Sequence, residues 1–291
     1  MIAVDWGTTS FRARRVDADG VVSGAVDAPR GILSVTDFPG TLRALVEPWL
    51  ADGERRILMC GMVGSRQGWV EAPYLPCPAG PGEIARTLVR VPFSGAEVWL
   101  APGLTDRDAA GVPEVMRGEE TQLLSVLGAD GPVCLPGTHT KWARVENGRV
   151  AGFATHMTGE VFAALRGHTI LGRLMDGSPD EPGDDEAFAR GVRRASDGGG
   201  LLHHLFGVRG LGLMGELAPA AAASYLSGLL LGHELAAALP PGGAAVRLIG
   251  SPALCARYAR AVALCGGRTT TVPGEPAVDG LILLGKHVQW T

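Results

Sequence analysis

The chain has 291 residues and a formal net charge of −4, with 26 basic and 30 acidic residues interspersed along it. That length suits two domains. Without a basic block or a Lys/Arg cluster, neither nucleic acid nor an anionic membrane surface is an expected partner. Glycine is abundant at 43 residues, about twice the usual share of ~7%. With no long Gly/Ser runs, this reads as many tight turns rather than disorder. Five cysteines, Cys60, Cys77, Cys134, Cys255 and Cys265, form no C-x-x-C pair, and three of them sit in apolar runs, where a thiol behaves as a small hydrophobe. Met1-Ile2-Ala3 leads straight into a strand with no signal peptide. Both features predict a cytoplasmic protein.

In chain order, Ile2–Asp5 and Phe11–Val16 read as strands joined by a turn over residues 7–10. A third strand, Val21–Val26, follows the Asp19-Gly20 turn. Thr36–Trp49 predicts a helix capped by Thr36 or Asp37, with Leu42, Leu45, Val46 and Leu50 on one face. Arg56–Cys60 is a buried strand ending at Gly61. The stretch GMVGSRQGWVEAPYLPCPAGPG that follows reads as a 22-residue loop with four prolines, a length that points to function in a compact domain. Glu97–Ala101 is a further strand, and PEVMRGEETQLLSVLG begins as a loop that turns helical near Glu119.

The pattern then restarts. Val133–Leu135 and Lys141–Val145 read as strands separated by a Pro-Gly-Thr turn, and the Asn147-Gly148 hairpin turn leads to Arg149–Thr155. Beyond this the chain reads as mostly helical, with an acidic loop over Asp176–Asp185. Leu217–Leu239 is interrupted by Pro219, His233 and Glu234, which predicts a buried helix rather than a membrane span. Late in the chain, VRLIGSPALCARYARAVALCG is strand, glycine turn and helix, and EPAVDGLILLGKHV is a closing helix. The histidines show no metal spacing, and His203-His204 reads as a solvated pair.

The informative feature is the repeat. Gly7-Thr8-Thr9-Ser10 and Gly137-Thr138-His139-Thr140 each head a hairpin. Such turns aim backbone N–H groups and hydroxyls into one concavity that suits phosphate oxygens. Two similar units predict two related domains, near residues 1–130 and 131–291, with a ligand between them. Two roles are open to Asp5: holding Mg²⁺ through water, or capping its own turn. Neither a Walker A loop nor a Gly-x-Gly-x-x-Gly fingerprint follows a strand.

The two phosphate turns and the LIGSPAL strand–turn–helix resemble the phosphate and adenosine elements of the actin/hexokinase/Hsp70 superfamily. More closely, DWGTTSFRA, GMVGSRQGWVEAPYLPCP, VMRGEETQL, LPGTHTKWA and MTGE resemble, in the same order, the 2-dehydro-3-deoxygalactonokinase family. The resemblance implies an α/β protein of two ribonuclease-H-like domains around an ATP site, with a closing helix that returns to the first domain in some members. It implies transfer of the ATP γ-phosphate to O6 of 2-dehydro-3-deoxy-D-galactonate, with Mg²⁺.

On this basis Gly7, Thr8, Thr9, Gly137, Thr138, Thr140 and Lys141 are the expected phosphate contacts, with His139 in the same turn, and Gly250 and Ser251 the adenosine contacts. Glu119 is the first choice for the base, ahead of Glu120 and Asp5. Against this stands the ordinary preference of acids for a first helical turn. Met62, Ser65, Arg66, Trp69, Tyr74, Arg117 and Glu160 are expected at the sugar acid, an arginine fork being suited to its carboxylate. The alternatives are a kinase for a related acid, such as the gluconate epimer, or a non-catalytic nucleotide switch of the actin or Hsp70 kind. A homodimer is compatible with the sequence.

Overall fold

The structure, a computed structural model, describes residues 1–175, 184–239 and 245–290. It divides into two compact units. The first comprises Met1–Asp130, Ala143–Phe153 and Pro273–Thr291; the second comprises Gly131–Trp142 and Ala154–Val272.

The first unit opens with a meander of β1 (Ile2–Trp6), β2 (Phe11–Val16) and β3 (Val22–Ala28). Asp37 then caps α1 (Phe38–Ala51), its carboxylate accepting the Gly40 N–H at 2.9 Å. β4 (Arg56–Cys60) follows and pairs with β1 in parallel, which sets Asp5 beside Cys60. The 22-residue stretch after Gly61, expected as a loop, carries regular structure. It holds β5 (Tyr74–Pro76) and the start of α2 (Pro81–Arg86). Next come β6 (Val89–Val91), β7 (Glu97–Leu100), β8 (Gly103–Arg107), β9 (Pro113–Met116) and α3 (Glu119–Leu124). The loop expected ahead of Glu119 is therefore a strand, β9, because it pairs antiparallel with β8 in a small sheet of order β5-β8-β9.

The main sheet has order β3-β2-β1-β4-β7-β6. Strand alternation sends Ile2, Val4 and Trp6 into one core with Leu42, Val46 and Leu50 of α1. Ala3 and Asp5 face the opposite side.

β10 (Gly131–Leu135) opens the second unit, and the hairpin β11 (Thr140–Glu146) and β12 (Arg149–His156) follows, its residues Ala143–Phe153 being counted in the first unit. The second unit then carries α4 (Thr158–His168), α5 (Asp185–Arg194), α6 (Gly200–Leu213), α7 (Pro219–Ala238), β13 (Ala245–Leu248), α8 (Pro252–Leu264) and β14 (Arg268–Thr271). Sheet order is β12-β11-β10-β13-β14, with β10, β13 and β14 parallel. This is the order of the first sheet without its last edge strand. The repeated turn motif thus heads a repeated topology. Most of the expected acidic loop lies outside the described residues; Asp184 caps α5, accepting the Ala187 N–H at 2.8 Å.

α7 is apolar all round and buried, as such a helix requires. No described helix is long and apolar enough to cross a membrane. α5 and α7 meet at backbone distance, because a Cβ at Gly228 would lie 2.0 Å from the Phe188 carbonyl oxygen. Gly228→Ala is therefore expected to cost roughly 1–3 kcal/mol in urea unfolding, as overpacked core positions do. Gly210→Ala in α6, with nothing within 4 Å of its Cβ, is expected to stabilise by up to ~1 kcal/mol through helix propensity alone.

The expected solvated pair His203-His204 is split. His204 is buried, with one ring nitrogen 3.0 Å from Nε2 of His233 and the other 3.0 Å from the Gly198 carbonyl. It faces inward one turn before Val208, also buried, so helix periodicity overrides the polarity of the pair.

The chain closes on α9 (Pro276–Gly285) in the first unit. Gly280 rests on α3, where a Cβ would lie 1.8 Å from the Thr121 carbonyl oxygen. Arg14 of β2 pairs with Glu275, just ahead of α9, and with Asp27.

Candidate active site

In the first unit, three backbone ends converge on the sheet face that carries Asp5. Gly61 ends β4 at φ 97°, and Gly118 precedes α3 at φ 103°. Both conformations favour glycine. The two pack directly, since a Cβ on Gly118 would lie 3.3 Å from Cα of Gly61. A Cβ on Gly61 would lie 2.7 Å from the Trp6 carbonyl oxygen and 3.2 Å from Oδ1 of Asp5. This close approach brings the first turn of α3 to Asp5.

The two acids of that turn differ. Glu120 is 0% exposed. It accepts the Gly118 N–H at 2.5 Å and the Thr121 hydroxyl at 2.9 Å. Burial, reinforced by the neighbouring Glu119 charge, pushes its carboxyl up to about 8. Glu119 is half-buried and accepts the Arg117 N–H at 3.1 Å. Asp5 is shifted upward by burial; the Arg12 guanidinium, 3.7 Å away, opposes the shift and Glu119 adds to it. Burial and the Glu119 charge both disfavour ionised Asp5, a penalty that a divalent cation at its carboxylate would relieve. One carboxylate of this kind fits Mg²⁺, which takes one or two carboxylates and completes its shell with water and phosphate oxygens.

The first glycine–threonine turn is closed by Gly7 N–H to the Ser10 carbonyl at 2.9 Å. Residues 31–33 back it, with Ile32 N–H and Leu33 N–H donating to the carbonyls of Gly7 and Thr8. Thr8 and Thr9 are exposed, so their hydroxyls face solvent.

The residues expected at the sugar acid scatter. Trp69 stacks on Phe38 and meets Phe93 edge-on, as part of the core margin with Met62. Arg117 is 8% exposed; Nη2 donates to the Ala72 carbonyl at 2.7 Å, and its guanidinium lies 4.4 Å over the Tyr74 ring. It ties the β5 segment to the start of α3. Ser65 is buried and follows Gly64, where an added Cβ would lie 3.1 Å from Nη1 of Arg117. Arg66 projects into solvent, 82% exposed and 3.6 Å from Glu71, and Tyr74 is exposed.

In the second unit, Thr138 of the echoed turn is exposed, and its carbonyl accepts the Glu160 N–H at 3.0 Å. Gly159 permits this approach, as a Cβ there would lie 2.5 Å from the Gly137 carbonyl oxygen. The Glu160 side chain pairs with His139 of the same turn. Lys141 is buried, with Nζ donating to the His139 carbonyl at 3.1 Å. Thr140 departs from the expected phosphate role: its side chain is 0% exposed and turns inward, 2.6 Å from the Tyr258 hydroxyl. Ser251 caps α8 through the Leu254 N–H at 3.4 Å.

Beside the turn lies a pocket of about 260 Å³. Gly137, Thr138, Gly159 and Arg257 are among its lining, with Phe162, Leu230, Leu254 and Tyr258 as apolar wall residues. Sequence reasoning missed these wall residues. In the sequence they are ordinary apolar positions of helices, and only the meeting of α4, α7 and α8 makes them a pocket.

The repeated sheet order, with a glycine–threonine turn after the first strand of each sheet, defines the class: an actin/hexokinase-type, two-domain ATPase fold. A family model for 2-keto-3-deoxy-galactonokinase matches residues 5–284, and the chain belongs to that family. It is 39% identical to a probable 2-dehydro-3-deoxygalactonokinase of Rhizobium meliloti (strain 1021), over 99% of this chain and 97% of the relative. It is 33% identical to the 2-dehydro-3-deoxygalactonokinase of Escherichia coli (strain K12), over 98% of this chain and 97% of that one. A crystal structure of a Sinorhizobium meliloti protein, provisionally described as a 2-dehydro-3-deoxygalactonokinase, superposes with a TM-score of 0.90 at 38% identity, covering 98% of each chain.

Proposed function

We propose that this protein transfers the γ-phosphate of ATP to the 6-hydroxyl of 2-dehydro-3-deoxy-D-galactonate, with Glu119 as general base. The observation that carries the assignment of the base is the contrast within the first turn of α3. Glu120 is sealed from solvent with both oxygens engaged, whereas Glu119 is half-buried beside Asp5. A base must come within hydrogen-bond reach of the proton it removes, which the burial of Glu120 disfavours and the partial exposure of Glu119 supports.

Gly7, Thr8 and Thr9 of the first turn, and Gly137 and Thr138 of the second, each suit phosphate oxygens. The pocket beside Gly137 has the apolar walls and small volume that suit a nucleobase, with Gly250 and Ser251 near the start of α8. Asp5, through water, and the phosphate oxygens would hold Mg²⁺, which neutralises charge on the phosphates in such transfers. Arg66, in the stretch between β4 and β5, faces solvent and suits the acid's carboxylate, and Tyr74 is exposed at the start of β5. Arg117 holds that segment in place.

ADP release measured with Mg·ATP tests the reading. Release should depend on 2-dehydro-3-deoxy-D-galactonate and be weaker with the gluconate epimer and the parent aldonates. No acid-dependent release would overturn the kinase assignment, and a preference for the epimer would overturn the substrate.

A further inference from the structure

Behind the turn that begins at Gly137 lies a buried polar chain with no part in the reaction described above. Thr140 and Trp142 are two apart on β11 and share a face. The Trp142 indole donates to Oε1 of Glu234 on α7 at 2.7 Å, and the Tyr258 hydroxyl, on α8, donates to Oε2 of the same carboxylate at 3.0 Å. The Tyr258 oxygen lies 2.6 Å from Oγ1 of Thr140. All four residues are buried.

Proton order follows. The single phenol proton goes to Glu234, so Thr140 must donate to the phenol oxygen. Burial pushes the Tyr258 phenol well above its ordinary range, which keeps that proton in place. One carboxylate thus clips the start of β11 to both helices, and Tyr258 is also a wall of the pocket beside Gly137. The surrounding core of Cys134, Phe188, Leu231, Val246 and Leu248 is apolar, and apolar burial is non-directional. It holds β11 against the helices but does not set where along them the strand stops. Directional bonds do, and a fully satisfied buried network specifies one arrangement.

We infer that Glu234 is a positioning residue for the nucleotide: through Tyr258 and Trp142 it sets the Gly137–Thr140 turn against the walls of the adjoining pocket. This rests on reading that pocket and turn as nucleotide-binding.

Calorimetric ADP binding, with thermal unfolding of each variant, tests it. Glu234→Met fills the volume without leaving a lone charge, an exchange that buried polar groups often tolerate in stability. It should stay folded yet bind ADP about tenfold more weakly, the equilibrium weight of a lost hydrogen bond. Glu234→Gln keeps two partners, its carbonyl accepting from Trp142 and its amide donating to Tyr258, and should bind ADP within about threefold of wild type. Thr140→Val should weaken ADP as Glu234→Met does and Thr140→Ser should not, while KM for the sugar acid stays unchanged in all four. The inference is overturned if folded Glu234→Met and Thr140→Val bind ADP like wild type, or if Thr140→Ser is as weak as Thr140→Val. Should Glu234→Met fail to fold, the Thr140 pair decides alone. Wild type that does not bind ADP would instead defeat the nucleotide reading itself.

Discussion

Glu119→Gln is expected to lower kcat by about three orders of magnitude, within the ~10²–10⁴-fold range for loss of a general base, with KM for Mg·ATP little changed. Glu120→Gln is expected to keep kcat within about threefold. The two acids are adjacent in sequence and identical in type, so the contrast reads burial alone. Glu120 sits at 0% exposure with its carboxyl pushed up to about 8, so at neutral pH it is mostly protonated, and glutamine imitates that form. The amide carbonyl accepts the Gly118 N–H and the NH₂ meets the Thr121 hydroxyl.

The same shift makes a stability prediction. Glu120 binds its proton more tightly in the folded chain, at about 8, than a glutamate ordinarily does, at 4.5. Its contribution to stability is therefore fully present below pH ~4.5 and is lost as pH rises toward ~8. Glu120→Gln should flatten that part of the stability profile in urea unfolding, and Glu119→Gln should only shrink it, because the Glu119 charge is the lesser cause of the shift. If Glu120→Gln lost activity by orders of magnitude and Glu119→Gln did not, the assignment of the base would be reversed.

What could be read in advance was local. The β1–β2–β3 meander follows from alternation and the Asp19-Gly20 turn, β11–β12 from Asn147-Gly148, and the start of α1 from Asp37 at its cap. The small sheet was hidden because β5 is only three residues long and Pro76 and Pro113 sit at strand ends. Proline demotes a strand in any local reading, yet pairing with β8 supplies the missing stability, from 29 residues away for β5 and 6 to 12 for β9. Thr140 was misassigned for a related reason. A turn motif marks its hydroxyl as available, whereas alternation along β11 places it with Trp142 on the inward face. His204 was misread because its partner, His233, is 29 residues away on another helix. Of the candidate site, the acids and glycine turns were legible as residue types. Which acid is sealed and which is open depends on how α3 packs beneath Gly61 and against Gly280, and only the tertiary structure carries that.

Gly61→Ala is expected to destabilise the protein by roughly 2–6 kcal/mol and to lower turnover by ~10²-fold, through two separable costs. The first is conformational: Gly61 has φ 97° and ψ −164°, a region essentially reserved for glycine, which costs a side chain of order 1–3 kcal/mol. The second is steric. The new Cβ would lie 2.7 Å from the Trp6 carbonyl oxygen and 3.2 Å from Oδ1 of Asp5, and overpacking of this kind costs about 1–3 kcal/mol. Relief requires β1 or β4 to shift where they present Asp5, and a displacement near 1 Å is enough to cost ~10²-fold in rate. Gly53→Ala is the matched comparison. Gly53 also has positive φ, at 94°, but nothing lies within 4 Å of its Cβ. It should lose stability by the conformational cost alone and retain kcat. Urea midpoints and kcat measured on both variants separate the two costs. Equal losses of stability with activity retained in both would show that Gly61 serves only its turn and that Asp5 is not held by this contact.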